Sequence, residues 1–552
     1  MDLSTEYHGQ HHIGDFVKSR DELSKNMAME TSVPCWQKKL AFRDGLNILE
    51  TEEEDEVGRD EEEHENRADN NDNWPFPPSP FSLPIIGHLH LLKQPVFKSL
   101  ETLSLKYGPV LFLKFGSRPV LVVSSPSAVE ECLSKNDIIF ANHPRTMAGD
   151  ILTYNSIVLA WTPYGHLWRN LRRIVNLQII FSKKSLQNVS NIREEEVYSL
   201  LRMVFKVSKV DPKKVEFRYF PSLLMFNVIM RMVTGKPCVG EEAASTDLGK
   251  QQLKDMKSII FAFLSMNICD HFPILRWVGY KGLEKSMVGL QWKRDRFLTN
   301  LIEEIKQMNT SHSENEKRTL IESLLSLHES ESEFYSDVFV KSIILVMMFT
   351  AGTDTTATTM EWAMSLLLNH PEELQKVKAE IVNQVGHGRL LKDSDLDKLP
   401  YLRSVVNETL RLYPPTPLLL PHCSAEDCTV GGYTVPKGTT LFVNAWAVHR
   451  DPKQWEEPNS FKPERFEGFS GEREGFRFFP FGIGRRACPG AGLGQRVILL
   501  ALGALIQCFD WERLDEEMVD MNLASGYLVS KAKPLEALCS PRHSMENLLS
   551  HH

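Results

Sequence analysis

The residues with the most chemistry to offer lie near the C-terminus, where the chain reads FPFGIGRRACPG (479–490) and then turns apolar. One cysteine, Cys488, sits where a loop gives way to a helix. Gly482 and Gly484 lack a Cβ and tolerate φ > 0, so the loop can fold tightly and lie close to whatever is above it. Pro489 suits the first turn of a helix, where its missing N–H costs nothing. Cys488 is then expected at the helix N-terminus, where unpaired N–H groups and the positive end of the macrodipole favour a thiolate. Such a thiolate can be a nucleophile, a redox thiol or a metal ligand. No second cysteine lies two or three residues away, so the spacing of a zinc knuckle or a redox Cys-x-x-Cys is absent.

Three further groups of residues have chemical potential. In WTPYGHLWRNLRR (161–173), Trp168 and Arg172 are four apart and share a helix face, while Arg169 and Arg173 form the adjacent one. One face can dock a ligand, where an arginine fork suits a carboxylate, and the other can meet a partner. The segment Phe339 to Leu368 reads as one helix, apolar almost all round in its first half, as in a helix buried through a large protein. Within it, AGTDTT (351–356) is small and polar. Hydroxyls that bond back to the backbone bend a helix, glycine weakens it further, and a buried carboxylate is costly without a partner. The bland reading is a kink satisfied by water; the functional one is a kink that opens a pocket, with Asp354 and Thr355 managing protons. Glu408 and Arg411 are i and i+3 on a helix expected over Leu399–Tyr413, an arrangement that alone usually means a solvated pair. A second arginine, Arg465, follows in PERF (463–466).

The elements that must position these residues are mostly helical. Helical spacing recurs from Leu91 to Tyr107, through Pro126–Phe205, and over Pro221–Gly235, Asp247–Ile268, Leu283–Met308 and Pro371–Val385, the last with Asn369 as a cap. Residues 109–123 read as a hairpin turning at Gly116-Ser117-Arg118, and short strands are expected at Leu418–His422 and beside Gly431-Gly432. The fold class is mainly α with a small β part.

At 552 residues and 42% hydrophobic content the chain has enough for a large core. The net charge of −9 is unevenly placed: residues 51–73 hold 12 acidic residues against 2 arginines, so the rest is nearly neutral. That balance gives no reason to expect a nucleic-acid partner. Residues 1–73 are therefore expected to form a polar, disordered extension, with a short helix near Lys38–Leu49. The proline-rich WPFPPSPFSLP (74–84) opens a hinge over 74–92, and the globular body is expected over 93–552. The nine cysteines have no framework spacing, which suits a reducing compartment. Neither a signal-peptide h-region nor an apolar run of membrane-spanning length is read in the sequence.

The pattern Phe481-x-x-Gly484-x-Arg486-x-Cys488-x-Gly490 resembles the haem-ligand signature of the cytochrome P450 superfamily, and the remaining motifs follow in that family's order. The resemblance implies a fold in which haem b lies between a long central helix and the cysteine loop, with Cys488 as axial thiolate ligand, a role that favours O–O cleavage. It also implies that Trp168, Arg172, His422 and Arg486 meet the haem propionates, with Phe481, Gly484 and Gly490 completing the cofactor loop. Asp354 and Thr355 would deliver the two protons that O–O cleavage requires. Glu408, Arg411 and Arg465 would be an architectural triad.

The wording of several stretches is similar to the plant-type branch that includes isoflavone and flavonoid hydroxylases. These are HPRTMAGDILTYN (143–155), YGHLWRNLRR (164–173), IREEEV (192–197), LPHCSAEDCTVGGYTVPKGT (420–439), ERFEG (464–468) and ALIQCFDWER (504–513). The resemblance implies a monooxygenase inserting one atom of O2 into an apolar, aromatic specialised metabolite. No GxGxxG follows a strand, so electrons from NADPH must arrive through a separate cytochrome P450 reductase, for which Arg169, Arg173 and Arg485 offer a basic face. A monomer on the cytosolic face of the endoplasmic reticulum membrane is implied, although residues 1–73 stand where the family carries its anchor. Two other readings are a haem-thiolate peroxide isomerase or dehydratase, disfavoured by the presence of Thr355, and a non-catalytic haem-binding protein.

Overall fold

Apolar residues at two different spacings build this body, a computed structural model describing residues 75–176, 183–209, 214–244, 246–260, 267–309, 319–330, 335–346, 352–468 and 476–551. The acidic extension, its expected short helix, and Ala351 of the AGTDTT run lie outside the described residues. Among the longer helices are α1 (Val96–Tyr107), α2 (His166–Ile174), α3 (Lys183–Ser208), α4 (Tyr219–Thr234), α5 (Asp247–Ile260) and α6 (Leu283–Asn309). They continue with α7 (Asp337–Val346), α8 (Asp354–Asn369), α9 (Pro371–Val385), α10 (Pro400–Leu412) and α11 (Ala491–Cys508). The strands are β1 (Val110–Phe115), β2 (Arg118–Val123), β3 (Lys214–Glu216), β4 (His422–Cys423), β5 (Cys428–Val430), β6 (Tyr433–Val435), β7 (Thr440–Val443), β8 (Phe509–Glu512) and β9 (Glu536–Pro541). The chain is mainly helical with a small sheet part, and Trp74–His552 is one compact unit.

The main sheet has the order β1-β2-β7-β4. β1 and β2 pair antiparallel from Val110 opposite Val123 to Phe115 opposite Arg118, leaving Gly116 and Ser117 as a two-residue loop. Arg118, expected in the turn, is the first residue of β2. Gly116 takes φ +59°, and a Cβ there would lie 2.4 Å from the His271 carbonyl oxygen, so glycine is required. β7 runs parallel to β2 and brings β4 alongside, placing His422 opposite Leu441. The strand expected over Leu418–His422 shrinks to this two-residue edge because Leu419 turns left-handed, at φ +52°.

α8 is the axis of the helical part and packs against α4, α10 and α11. Its Trp362 is fully buried, stacks flat on Tyr413 at 3.9 Å and donates from Nε1 to the Val529 carbonyl at 2.7 Å. α11 is long and apolar enough to cross a membrane, yet 67% of it is buried within the body, as in a core helix.

Three local expectations changed. The helical stretch foreseen through 126–205 breaks at Tyr154, Asn155 and Ser156, which take positive φ in succession. Pro489 precedes the N-cap Gly490 instead of occupying the first turn, so Cys488 stands just outside α11. Asn369 does not cap α9; His370 is its N-cap, and the Asn369 amide instead clasps the Val519 backbone in both directions, at 3.1 and 2.8 Å. The Phe339–Leu368 segment is described as α7 and α8, with the intervening residues 347–351 outside the description.

Candidate active site

The cysteine loop is shaped by hydrogen bonds among its own backbone groups. Gly482 N–H donates to the Phe479 carbonyl at 3.0 Å, Ala487 N–H to Gly484 at 3.1 Å, and Cys488 N–H to Phe481 at 2.8 Å. Gly482 and Gly484 sit at φ +71° and +76°, the conformation their lack of a Cβ permits. A Cβ on Gly484 would lie 2.5 Å from both the Leu133 carbonyl oxygen and Asp137 Oδ1, so this glycine lets the loop rest on the 131–137 turn. Arg485 fastens the same contact, its amide to Asp137 Oδ1 at 3.1 Å and its Nε to Oδ2 at 3.0 Å. Gly490 lies beside the thiol, a Cβ there standing 3.8 Å from Sγ of Cys488.

Cys488 opens onto a cavity of about 240 Å³. Of the residues singled out by sequence, Trp168, Arg172, Thr355, His422, Phe481, Arg486, Cys488 and Gly490 all line it. Its apolar part includes Leu159, Met225, Ile229, Val346, Leu419 and Leu528. Gly484 faces the 131–137 turn instead, and Asp354 is not among the lining residues.

One wall of the cavity concentrates positive and neutral nitrogen donors. Arg172 donates from Nη1 to the Ala487 carbonyl at 2.7 Å, tying α2 to the cysteine loop. Arg486 donates to the carbonyls of Ala141, Leu159 and Thr162 at 2.6, 3.1 and 2.6 Å, and its guanidinium lies 4.7 Å from the centre of the Trp168 ring. Burial, with the Arg172 charge, pulls Arg486 down to about 9. His422 is buried, with Nδ1 donating to the Phe140 carbonyl at 2.8 Å, and burial brings it down to about 4, so the ring is neutral. His143, which sequence did not single out, packs its ring 5.4 Å from His422 and also lines the cavity. No Asp or Glu is among the described lining residues. Two guanidinium groups facing a cavity without a carboxylate form a donor set for an anionic ligand. The propionates of a haem would supply that charge, and Sγ of Cys488 a soft ligand for its iron, so the residues present fit the group.

α8 brings the alcohol to this cavity and holds the acid one step back. Thr355, Thr356 and Thr359 line it, with Thr359 Oγ1 donating to the Thr355 carbonyl at 2.9 Å. Thr353 Oγ1 is buried with no hydrogen-bond partner among the described residues. Asp354 points to α5, where Lys257 Nζ stands 3.2 Å from its Oδ1 and also donates to Ser222 Oγ at 3.0 Å. Lys257 carried no signal in the sequence, where it is one of several lysines on an amphipathic helix. Leu528 was equally silent, coming from an irregular segment near the C-terminus.

Glu408 and Arg411 form a fully buried fork, Arg411 Nε to Oε2 at 2.6 Å and Nη2 to Oε1 at 2.7 Å. Arg411 Nη1 donates onward to the carbonyls of His449 and Pro458 at 2.8 and 2.7 Å. Arg465 stands with Nε 3.4 Å from Glu408 Oε1, an ion pair without hydrogen-bond geometry, and donates from Nη2 to the Glu457 carbonyl at 2.9 Å. These three groups lie away from the cavity and join α10 to the irregular segment that follows β7.

A helical body around α8, with a thiol loop and a cationic wall enclosing one large cavity, defines a haem-thiolate enzyme. A family model described as Cytochrome P450 matches residues 77–539, and the chain belongs to that family. It is 49% identical over 480 residues to Cytochrome P450 81Q32 of Catharanthus roseus, covering 86% of this chain and 93% of that one. It is 46% identical to the (+)-piperitol/(+)-sesamin synthase of Sesamum radiatum, covering 86% and 92%. It is 44% identical to an isoflavone 2'-hydroxylase of Medicago truncatula, covering 85% and 92%. Among solved structures, a zebra fish cytochrome P450 with progesterone superposes with a TM-score of 0.70 at 27% identity, covering 82% of this chain and all of that one. The protein is thus a haem-dependent monooxygenase whose cofactor is held by a cysteine thiolate and whose reaction takes O2, a small substrate and electrons from a reductase. Bound haem supplies an iron made electron-rich by its thiolate, which is what cleaving O2 requires.

Proposed function

We propose that the chain hydroxylates an apolar aromatic metabolite of the isoflavonoid, flavonoid or lignan type, with Cys488 as the iron ligand. The observation that carries this reading is the single cavity in which Cys488 and Thr355 share walls with Leu159, Met225, Ile229 and Val346. Such a surface suits a flat apolar molecule and offers few polar groups to fix a sugar or a peptide. Relatives named as isoflavone 2'-hydroxylase and (+)-piperitol/(+)-sesamin synthase support the aromatic class. In this assignment Trp168, Arg172 and Arg486 hold the propionates, with His422, whose one proton in the neutral ring goes to Phe140, joining them as an imidazolium beside the propionate charge, and Phe481, Gly484 and Gly490 shape the cofactor loop. Thr355 orients a water in the cavity, Asp354 relays protons to it from solvent, and Glu408, Arg411 and Arg465 brace the fold.

The domain plan follows from the sequence: a polar extension over 1–73, a proline-rich hinge over 74–92 and the catalytic domain over 93–552. The catalytic domain works as a monomer against the cytosolic face of the endoplasmic reticulum membrane. Two exposed apolar groups support a membrane contact: Phe81 and Ile85 on one segment, Ile274, Trp277 and Val278 on another, with Trp277 90% exposed. Both flank the β1–β2 turn, since Gly116 N–H donates to the Ile86 carbonyl and Ser117 N–H to His271. An aromatic among aliphatics at one corner suits a headgroup boundary.

The test uses the purified holoenzyme with a cytochrome P450 reductase and a panel of isoflavones, flavanones and lignans. NADPH consumption that depends on both reductase and aromatic compound, with one atom of labelled O2 in the product, is expected. Conversion of a hydroperoxide without reductase, and no oxygen incorporation, would overturn the reading.

A further inference from the structure

A second cavity, of about 100 Å³, lies beside the first and shares His143, Ala160 and Leu420 with it. Its surroundings are largely apolar, with Phe115, Phe442 and Pro421 among its walls. Several of the polar groups around it are already engaged. Arg118 donates to the carbonyls of Asp270 and Arg145 at 2.6 and 2.7 Å, and Asp270 Oδ1 accepts from Met147 N–H at 2.7 Å. The Tyr527 hydroxyl donates to the Leu419 carbonyl.

Two polar groups are different. Asn267 is 7% exposed and His271 8%, both line the cavity, and neither Nδ2 of Asn267 nor Nδ1 of His271 has a partner among the described residues. Asn267 Oδ1 is in use, accepting from Cys269 N–H at 3.0 Å, which fixes the amide and leaves its N–H group without a partner among the described residues. Burial, with the Arg118 charge, pulls His271 down to about 4, so the ring is neutral. Nδ1 of the neutral ring, having no partner among the described residues, can accept a proton from another group or donate one to it. Buried donors and acceptors left in this state are rare and costly, and their expected complement is a ligand or water. A hydroxyl has the chemistry to answer either group, accepting from an amide and donating to an imidazole.

We propose that this second cavity receives the hydroxyl-bearing end of the substrate, with Asn267 donating to and His271 accepting from a phenolic oxygen, while the rest of the molecule reaches the main cavity past His143, Ala160 and Leu420. The proposal rests on the aromatic reading above. It makes Asn267 and His271 specificity determinants and predicts a preference for phenols over their deoxy counterparts.

The experiment measures dissociation constants of the holoenzyme by equilibrium dialysis for two matched pairs, 7-hydroxyisoflavone with isoflavone and 4-phenylphenol with biphenyl. The hydroxylated member should bind about tenfold more tightly. Asn267→Ser keeps a side-chain oxygen for the cap and withdraws the amide, and His271→Phe keeps an aromatic ring. Each should bring the ratio within a pair close to one while leaving the deoxy probes unchanged. Equal wild-type binding within both pairs, an unaltered ratio in both variants, or an equal loss for phenol and deoxy probe would overturn the proposal. Discrimination within the biphenyl pair with no binding of either isoflavone would uphold the polar site and count against the isoflavonoid reading. Wild-type enzyme that binds none of the four would overturn both.

Discussion

Lys257 Nζ stands 3.2 Å from Asp354 Oδ1, so the acid at the start of α8 is tethered to α5 and, through Ser222, to α4. Three elements therefore meet at the carboxylate assigned to proton relay, and Thr355, the next residue, faces the cavity. If the two act in sequence, removing either should alter how electrons are spent before it alters binding. Asp354→Asn should slow turnover by up to roughly 10²-fold and enlarge the solvent isotope effect, the scale of a lost general acid. Lys257→Met leaves the carboxylate in place but untethered and should fall between that variant and wild type. Thr355→Ala should keep consuming NADPH while yielding less product per NADPH. An Asp354→Asn enzyme with unchanged rate and unchanged product-to-NADPH ratio would remove the relay assignment.

The buried fork of Glu408 and Arg411 makes a different prediction, for stability. Neither side chain is exposed, so solvent does not screen the charge left behind when one partner is removed. Glu408→Ala should destabilise the fold by about 3–5 kcal/mol, the usual result of stranding a buried charge. Arg411→Lys should also be poorly tolerated, because an ammonium cannot reach the carboxylate while also serving the His449 and Pro458 carbonyls as the guanidinium does. Denaturant unfolding of the holoenzyme measures both. A cost below about 1 kcal/mol for Glu408→Ala would mean the pair behaves like a surface one.

The cysteine loop was legible in sequence because its constraints are local: glycines where φ turns positive, and a cysteine before an apolar helix. The share of the site on α2 was legible for the same reason, since Trp168 and Arg172 need only one helical turn to be neighbours. What escaped is tertiary. Lys257 meets Asp354 only because α5 crosses the start of α8, and nothing about a lysine on an amphipathic helix announces this. Asn369 looked like a cap and instead holds Val519, a partner far along the chain. Gly484 matched a cofactor signature, and the sequence did not show that its missing Cβ also serves the approach to Leu133 and Asp137. The left-handed run at Tyr154–Ser156 defeats a helical pattern without a glycine or proline to give warning.

Buried imidazoles give the fold an acid limit. His422 and His271 are both brought down to about 4 by burial, below the ordinary value of 6.5. Between those values the unfolded chain binds protons that the folded one refuses, so stability rises with pH across this window. The contribution is fully present above about pH 6.5 and is lost as pH falls towards 4, at most about 3 kcal/mol for each ring. Unfolding midpoints from pH 7 to pH 4 should fall accordingly, and His271→Phe should flatten the curve by its share. An identical pH dependence in that variant would show that His271 is protonated without penalty in the folded state.

Arg169 and Arg485 lie 5.9 and 5.5 Å from the centre of the Tyr164 ring, which draws the two guanidinium groups together at the surface on the cysteine-loop side. Their standing in an encounter with an acidic reductase should differ. Arg485 is paired with Asp137 at 3.0 Å, which offsets its charge and keeps it in place for the loop. Arg169→Glu should therefore slow the first electron transfer by about tenfold at low ionic strength, and added salt should narrow the gap to wild type. Arg485→Glu should be mixed in effect, because it also sets a second carboxylate against Asp137 and loosens the loop that carries Cys488. The double variant Asp137→Asn with Arg485→Gln removes the pair without net charge change and separates the two effects. If Arg169→Glu leaves the salt dependence of reduction unaltered while the loop variants change the haem spectrum, this face positions the thiolate and the reductase docks elsewhere.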